Sequence, residues 1–191
     1  GYKIKAPQKY IEPDSPRVQG GWSNAAFFLC AGALGGETEI TGLSLDSRQS
    51  DRALTDILKA FGADIKCGSS GSVCKSELFG ITVDISQCPD LFPTLAVTAC
   101  AAHGDTVFTN AARLRIKESD RIESVEKMIT SLGGFAESTP DSLTVHGTGT
   151  LAGGEVNSFN DHRIVMAAAV AACICESPVV IRDAQAVNKS Y

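Results

Sequence analysis

The sequence lacks the features that mark membrane-spanning, nucleic-acid-binding and zinc-stabilised proteins. Its longest uninterrupted apolar run, residues 164–175, falls short of the ~20 residues that a membrane helix needs. Lys and Arg number 17 against 22 Asp and Glu, so no charge excess predicts binding to nucleic acid or to an anionic membrane. The three histidines lie far apart and the seven cysteines form no C-x-x-C pair, so no zinc site is expected.

Composition and cysteine usage predict a single folded domain in a reducing compartment. The 43% hydrophobic content is enough for a core, and 191 residues fit one domain. Four cysteines lie in Ala-rich apolar stretches, where a reduced thiol behaves as a small buried hydrophobe: Cys30, Cys100, Cys173 and Cys175. A cytoplasmic location is expected. The chain begins without Met or a secretory pattern, and we interpret both ends as cut from a longer protein.

A repeated pattern predicts an α/β fold with pseudo-threefold symmetry, in units at about residues 20–86, 87–158 and 159–191. Each unit begins with an Ala-rich helix that is apolar nearly all round, which indicates burial. A strand and a polar loop follow, and the first two units continue into a Gly-terminated helix and another strand. The apolar residues of that helix have helical spacing, as in the second unit at Ile122, Val125, Ile129 and Leu132. The expected buried helices are residues 24–34, 91–102 and 162–175. Ser23 is the expected cap of the first of them, and Ser50 and Ser119 are the expected caps of the other helices.

The segment 113–121 is the first candidate site. Its basic residues alternate with Leu114 and Ile116, as on a strand with one basic face: Arg113, Arg115 and Lys117. We expect Ser119 to start a helix with Arg121 in its first turn, where free N–H groups and the helix dipole favour anions. The alternative is a solvated charged edge. Residues 50–52 repeat the Ser-Asp-Arg of residues 119–121 without the basic run, so we interpret Ser-Asp-Arg as structural and the basic strand as functional.

Three further candidates stand at predicted helix starts or after the last strand. Asn160 or Asp161 as an N-cap explains its own polarity but not the cation Arg163, which the dipole disfavours there unless an anion is bound. For His162, a structural role and a functional role are equally compatible with the sequence. Asp90 fits an N-cap carboxylate, and Lys189 fits an exposed lysine. Strand-to-helix junctions at the same end of symmetric units cluster in space. Because these junctions carry the candidate cations, they predict a site for a polyanionic small molecule.

At these residues the sequence resembles the EPSP synthase family of enolpyruvyl transferases. The resemblance covers essentially the whole chain and rests on residues 20–29, 89–90, 115–121 and 160–163, with Lys189 near the end. It implies a C-terminal domain built from βαβαββ units, which is one half of an inside-out α/β barrel. Residues 1–16 resemble the last strand of the other domain and the crossing segment. The missing N-terminal domain would supply the rest of the site.

The resemblance implies transfer of the enolpyruvyl group of phosphoenolpyruvate to the 5-hydroxyl of shikimate 3-phosphate, with release of phosphate and without cofactor or metal. Asp90 would accept a proton from the attacking hydroxyl, and Glu118 would act as acid and base at the methylene carbon. The remaining roles are contacts to shikimate 3-phosphate by Asp90, Lys117 and Arg113, to phosphoenolpyruvate by Arg121, Arg163 and Lys189, and a supporting role for His162. Some family members carry Asn at the position of Arg113. The alternative is a non-catalytic phosphate-binding or structural domain on the same scaffold.

Overall fold

Each described α-helix is followed along the chain by either one or three strands, in keeping with the predicted α/β fold. The computed structural model describes residues 1–12, 14–16, 18–67 and 70–189. The α-helices within these ranges are α1 (Trp22–Gly35), α2 (Leu54–Phe61), α3 (Phe92–Cys100), α4 (Arg121–Ser131) and α5 (His162–Ala171). The strands are β1 (Glu37–Thr41), β2 (Ile65–Cys67), β3 (Ser70–Cys74), β4 (Thr82–Asp84), β5 (Gly104–Thr109), β6 (Phe135–Thr139), β7 (Ser142–Gly147), β8 (Gly154–Asn157) and β9 (Val179–Arg182).

The strands form three separate sheets. Their orders are β1-β3-β2, β4-β5-β7-β6 and β8-β9, and no described strand closes them into a barrel. Strands β4 and β5 are parallel with Thr82 opposite Val107, and β8 and β9 are parallel with Gly154 opposite Val179. The other pairs, β1/β3, β2/β3, β5/β7 and β6/β7, are antiparallel. The mixed α/β class is confirmed.

The three Ala-rich helices α1, α3 and α5 form the centre of the core and contact one another. Every residue of α3 is buried, including Pro93, which stands in the first turn where its missing N–H is not needed. Small side chains allow the helices to approach closely, and Phe92 adds an edge-to-face contact with Phe108 of β5. The predicted burial of these helices is confirmed.

Each buried helix is followed by a strand that ends at a residue in the left-handed region. These residues are Gly42 after β1, Asn110 after β5 and Asp183 after β9, with φ values of +82°, +56° and +54°. Gly, Asn and Asp are the residue types that adopt this conformation most readily. The same corner therefore turns the chain at three equivalent places.

The predicted caps of α1, α2 and α4 are wrong: different side chains cap α1 and α4, and no side chain caps the start of α2. Gln49 accepts the N–H of Trp22 at 2.9 Å and so caps α1, whereas the buried hydroxyl of Ser23 has no hydrogen-bond partner among the described residues. Ser50 begins a 3₁₀ turn, Ser50–Ala53, that precedes α2 and makes no side-chain cap. Asp120, not Ser119, caps α4 by accepting the N–H of Glu123 at 3.1 Å.

The predicted basic strand is also wrong, because Ala112–Ile116 is a 3₁₀ helix. Leu114 is buried in the core, whereas Ile116 is exposed instead of sharing an apolar face with it. The guanidinium of Arg115 donates to the backbone carbonyls of Thr139 and Pro140, which fixes the turn against the β6–β7 corner. Residues 1–12 and 14–16 are exposed and form neither helix nor strand.

Candidate functional site

Six charged side chains from three parts of the chain meet where α3, α4 and α5 begin. We call them the charged cluster, and its members are Asp90, Lys117, Glu118, Arg121, Asp161 and Arg163. The sequence assigned a substrate or catalytic role to five of the six, whereas Asp161 was predicted only as a possible helix cap. The helix starts supply free N–H groups and the positive ends of helix dipoles at this point.

Arg121, the first residue of α4, lies at the centre of the charged cluster with only 1% of its surface exposed. Its Nε donates to Asp161 Oδ2 at 2.8 Å and its Nη1 to Asp90 Oδ1 at 2.9 Å, while Nη2 donates to Glu118. Burial acts to lower the pKa of Arg121, but the hydrogen bond to Asp161 and the surrounding carboxylates outweigh it and raise that pKa. The guanidinium is a permanent buried cation.

Asp90 bridges both buried arginines and Lys117. Arg163 Nη2 donates to Asp90 Oδ2 at 3.1 Å, Arg163 Nη1 donates to the Asp90 carbonyl at 3.2 Å, and Lys117 Nζ lies 3.6 Å from Asp90 Oδ1. Burial acts to raise the pKa of Asp90, but the charges of these cations and of Arg121 hold it below its ordinary value. The predicted N-cap role is wrong: Asp90 lies within the 3₁₀ turn Pro89–Leu91 and makes no side-chain cap.

Asp161 is fully buried and joins the starts of α4 and α5. It caps α5 by accepting the N–H of Arg163 at 2.9 Å, and it accepts the hydroxyl of Ser119 at 3.2 Å besides the guanidinium of Arg121. The sequence identified Asp161 only as a possible cap, which is correct, but could not reveal a partner 40 residues away. The cation Arg163, two residues after the cap, was the one available signal that Asp161 does more than cap the helix.

Lys189 and His162 lie beside the charged cluster. Lys189 Nζ donates to the carbonyl of Asn160 at 2.9 Å, which brings the lysine to the start of α5. The His162 ring is largely buried, and its Nδ1, 3.9 Å from Asp161 Oδ1, has no hydrogen-bond partner among the described residues. Burial, and then the charge of Arg163, lower the pKa of His162. A neutral imidazole is therefore favoured there at neutral pH.

Arg113 and Arg115 do not join the charged cluster. Arg113 is exposed and makes no hydrogen bond or ion pair with any described residue. Arg115 pairs with Asp120 at 2.8 Å, on the outside of the α4 start. Of the basic run, Lys117 alone reaches the cluster.

Asp51 is a further carboxylate at the site that the sequence did not single out. It is half-buried in the 3₁₀ turn Ser50–Ala53 and forms no ion pair with any described residue. Burial, and then the negative charge of Asp90, raise the pKa of Asp51. No signal in the sequence distinguishes it from Asp120 of the repeated Ser-Asp-Arg.

This arrangement suits the recognition of a small molecule that carries several negative charges. Planar guanidinium groups match carboxylate and phosphate oxygens, and the partly exposed Asp90 and Glu118 are groups able to exchange protons. The described residues contain no group of three or more His, Cys, Asp or Glu side chains placed to hold a metal ion. Every described helix is too short or too polar to span a bilayer.

Comparisons with known proteins point in the same direction. The family described as EPSP synthase (3-phosphoshikimate 1-carboxyvinyltransferase) matches residues 2–191. The 3-phosphoshikimate 1-carboxyvinyltransferase of Clostridium novyi is 46% identical over 189 residues, covering 98% of this chain and 43% of that protein. The relative from Clostridioides difficile is 40% identical over 190 residues, with the same coverage of both chains. A solved structure of EPSP synthase from Acinetobacter baumannii superposes with a TM-score of 0.79 at 29% identity, covering 88% of this chain and 43% of that one.

The chain spans less than half the length of these relatives. The matched regions cover 98% of this chain in the sequence comparisons and 88% in the superposition, and sequence and fold agree on the family. On the family match, the curated relatives and the superposition together, this chain belongs to the EPSP synthase family.

Proposed function

We propose that this chain forms part of an enzyme that transfers the enolpyruvyl group of phosphoenolpyruvate to the 5-hydroxyl of shikimate 3-phosphate. The observation that carries the proposal is the pair of buried guanidinium groups, Arg121 and Arg163, which share the carboxylate of Asp90 at the starts of three helices. Burying two cations at one site costs free energy even when carboxylates pair with them, and binding of an anionic ligand would account for that cost. The relatives bear the name of this activity.

In the proposed reaction, the 5-hydroxyl of shikimate 3-phosphate adds to the central carbon of phosphoenolpyruvate. Asp90 takes the hydroxyl proton, and Glu118 supplies a proton to the methylene carbon, which gives a tetrahedral intermediate. Loss of a proton from the new methyl group and departure of phosphate then restore the double bond. Both steps are proton transfers by positioned carboxylates between cationic clamps, which is general acid–base catalysis with electrostatic stabilisation.

The proposed binding roles are those that the family resemblance implies, and the clustering of the cations at the helix starts supports them. Arg121, Arg163 and Lys189 would hold phosphoenolpyruvate, and Lys117 would contact shikimate 3-phosphate together with Asp90. Arg113 would contact shikimate 3-phosphate only as an exposed side chain reaching over the site. His162, buried beside Arg163, would support the phosphoenolpyruvate contacts.

The remaining part of the site is proposed to come from a second domain, because the relatives are more than twice as long as this chain. On its own the chain is expected to have negligible turnover. A cytoplasmic location is part of the proposal and is supported by seven free cysteines, with no role expected for nucleic acid or membrane.

The test is phosphate release with both substrates. The chain is assayed alone, and then mixed with or fused to the part of the Clostridium novyi relative that lies outside the 189 matched residues. Turnover only in the combined protein is expected, with a loss of about 100-fold or more for Arg163→Gln. Arg182→Gln is the matched control, because Arg182 pairs with Glu155 in the β8-β9 sheet, outside the cluster. Normal turnover by the chain alone, or by the Arg163→Gln variant, would contradict the proposal.

The second candidate is a structural domain that binds no substrate. One observation favours it: each guanidinium of the charged cluster already has carboxylate partners, so the cluster is self-neutralised without a ligand. Calorimetric titration of phosphoenolpyruvate and shikimate 3-phosphate into the combined protein separates the two candidates. Heat of binding that Arg163→Gln abolishes and Arg182→Gln retains supports the enzyme.

A further inference from the structure

Three carboxylates hold Arg121, and they differ sharply in burial. The side chain of Asp161 is 0% exposed, whereas those of Asp90 and Glu118 are 33% and 39% exposed. A group with no solvent access has no water to replace its partner, so its ion pair persists. Partly exposed carboxylates exchange a guanidinium for water or for another anion at much lower cost.

The two kinds of carboxylate occupy different edges of the guanidinium. Asp161 takes the inner edge, with Oδ2 accepting from Nε at 2.8 Å and Oδ1 facing Nη2 at 3.4 Å. Asp90 and Glu118 take the outer N–H groups of Nη1 and Nη2. The outer groups are the ones that a carboxylate or phosphate of a bound molecule would need.

Asp161 is itself fixed by contacts that do not involve Arg121. It accepts the backbone N–H of Arg163 at 2.9 Å and the hydroxyl of Ser119 at 3.2 Å. The carboxylate is thus tied to the start of α5 and to the residue two before α4. A fixed acceptor of this kind sets the plane of the guanidinium that it binds.

We propose that Asp161 is a positioning residue that holds Arg121 by its inner edge, while the anion of phosphoenolpyruvate displaces Asp90 and Glu118 from the outer edge. The inference rests on the proposed function. Without substrate, the two exposed carboxylates occupy the place of the anion and neutralise the arginine. When the anion arrives, both carboxylates give up Arg121 and stay next to the bound molecule, where Asp90 retains its contacts with Arg163 and Lys117 and both groups are able to exchange a proton.

The first test uses steady-state kinetics of the combined protein. Asp161→Asn keeps the shape and an oxygen that caps α5, but removes the charge that orients Arg121. The Michaelis constant for phosphoenolpyruvate is expected to rise by about 10- to 100-fold, with that for shikimate 3-phosphate within about threefold of the wild type. Asp120→Asn is the matched control, because Asp120 caps α4 and pairs with Arg115 without touching Arg121. It is expected to leave both constants within about threefold.

The second test uses nuclear magnetic resonance of arginine Nε–H groups in this chain and in the combined protein. The Arg121 Nε–H signal, assigned with Arg121→Lys, is expected to be protected from exchange with water, and Asp161→Asn is expected to remove that protection. Adding phosphoenolpyruvate to the combined protein should move the Nη signals of Arg121 and leave the Nε protection in place.

The outcomes separate this inference from the proposed function. If the combined protein turns over substrate but Asp161→Asn leaves both Michaelis constants unchanged, the positioning role is wrong and the enzyme assignment stands. If turnover is absent but the Nε–H protection depends on Asp161, the inner-edge contact is correct and the proposed function fails. An unprotected Arg121 Nε–H in the wild-type chain overturns the inference directly.

Discussion

Residues 50–52 and 119–121 have the same sequence, Ser-Asp-Arg, but their side chains do entirely different things. In the second copy, Arg121 is the buried centre of the charged cluster and Asp120 caps α4. In the first copy, Arg52 is half-buried and forms no ion pair with a described residue. Asp51 lies in a 3₁₀ turn and its side chain caps no helix. The repeat therefore preserves the backbone corner but not the roles of its side chains.

The difference comes from partners supplied by the next unit. Arg121 meets Asp161, which is contributed by the start of α5, 40 residues further along the chain. Arg52 has no acidic counterpart in the described residues. The role of each tripeptide therefore depends on the residues that the fold places beside it. Matched substitutions at the three positions of each copy measure how far the roles of the two copies have diverged.

Substitutions of the two arginines, Arg121 and Arg52, should differ most in their effect on the free energy of unfolding. Arg121→Met leaves the buried carboxylate of Asp161 without its cation, which is expected to lower the free energy of unfolding by about 3–5 kcal/mol. Arg52→Met removes no ion pair and should change it by about 0.5 kcal/mol or less. Urea denaturation of both variants measures the contrast. Equal losses would mean that the Asp161 contact contributes nothing.

The aspartates should change stability in opposite directions. Asp120→Ala removes the cap of α4 and an ion pair, at a cost of about 1–2 kcal/mol. Asp51→Asn should instead increase stability at pH 7, because burial and the charge of Asp90 raise the pKa of Asp51 and so disfavour its charged form in the folded state.

The sign of the Asp51 effect depends on pH. A carboxyl whose pKa is raised on folding destabilises the protein progressively as pH rises through its unfolded and then its folded pKa. Well below the ordinary value of about 3.9, it is protonated in both states and the effect vanishes. Unfolding measured at pH 7 and at pH 3 should therefore give a gain for Asp51→Asn only at pH 7. A loss at pH 7 would indicate an attractive contact that outweighs these effects.

Substitutions of the two serines, Ser119 and Ser50, should differ least in their effect on stability. Ser119→Ala removes the hydroxyl that donates to Asp161 and is expected to cost about 0.5–1 kcal/mol. Ser50 is exposed and its side chain makes no hydrogen bond with a described residue, so Ser50→Ala should have no measurable effect. Thermal melts of the two variants make the comparison. A larger loss for Ser50→Ala would reverse the order of the two copies.

Much of the fold could be predicted because apolar spacing determines it. The spacing of Ile122, Val125, Ile129 and Leu132 predicted α4, and the uniformly apolar stretches predicted the buried helices. Strand β6 was missed because Phe135–Thr139 is an edge strand with mostly polar residues and an exposed Phe135. The 3₁₀ helix Ala112–Ile116 was missed because its basic and apolar residues alternate as a strand's would, while contacts with the β6–β7 corner determine its shape.

The charged cluster could be predicted in part, since its cations stand at helix starts where charge of that sign needs an explanation. The internal comparison of the repeats was misleading, however. It assigned the basic run to function and Ser-Asp-Arg to structure, whereas Arg121 is central and Arg113 and Arg115 lie outside the cluster. The contact of Asp161 with Arg121 and the place of Asp51 beside Asp90 were missed, because an ion pair or a repulsion across about 40 residues leaves no local pattern.

The left-handed corners after β1, β5 and β9 have a consequence for how such a site diversifies. The segment after Gly42 leads to Asp51, the segment after Asn110 to Lys117 and Glu118, and the segment after Asp183 to Lys189. Each loop thus delivers its own charged group to one rim, while the helices behind it stay in place. Because Arg121 and Arg163 stand on the helices and not on these segments, we expect that exchanging one segment would alter the ligand contacts of the rim without rebuilding the core.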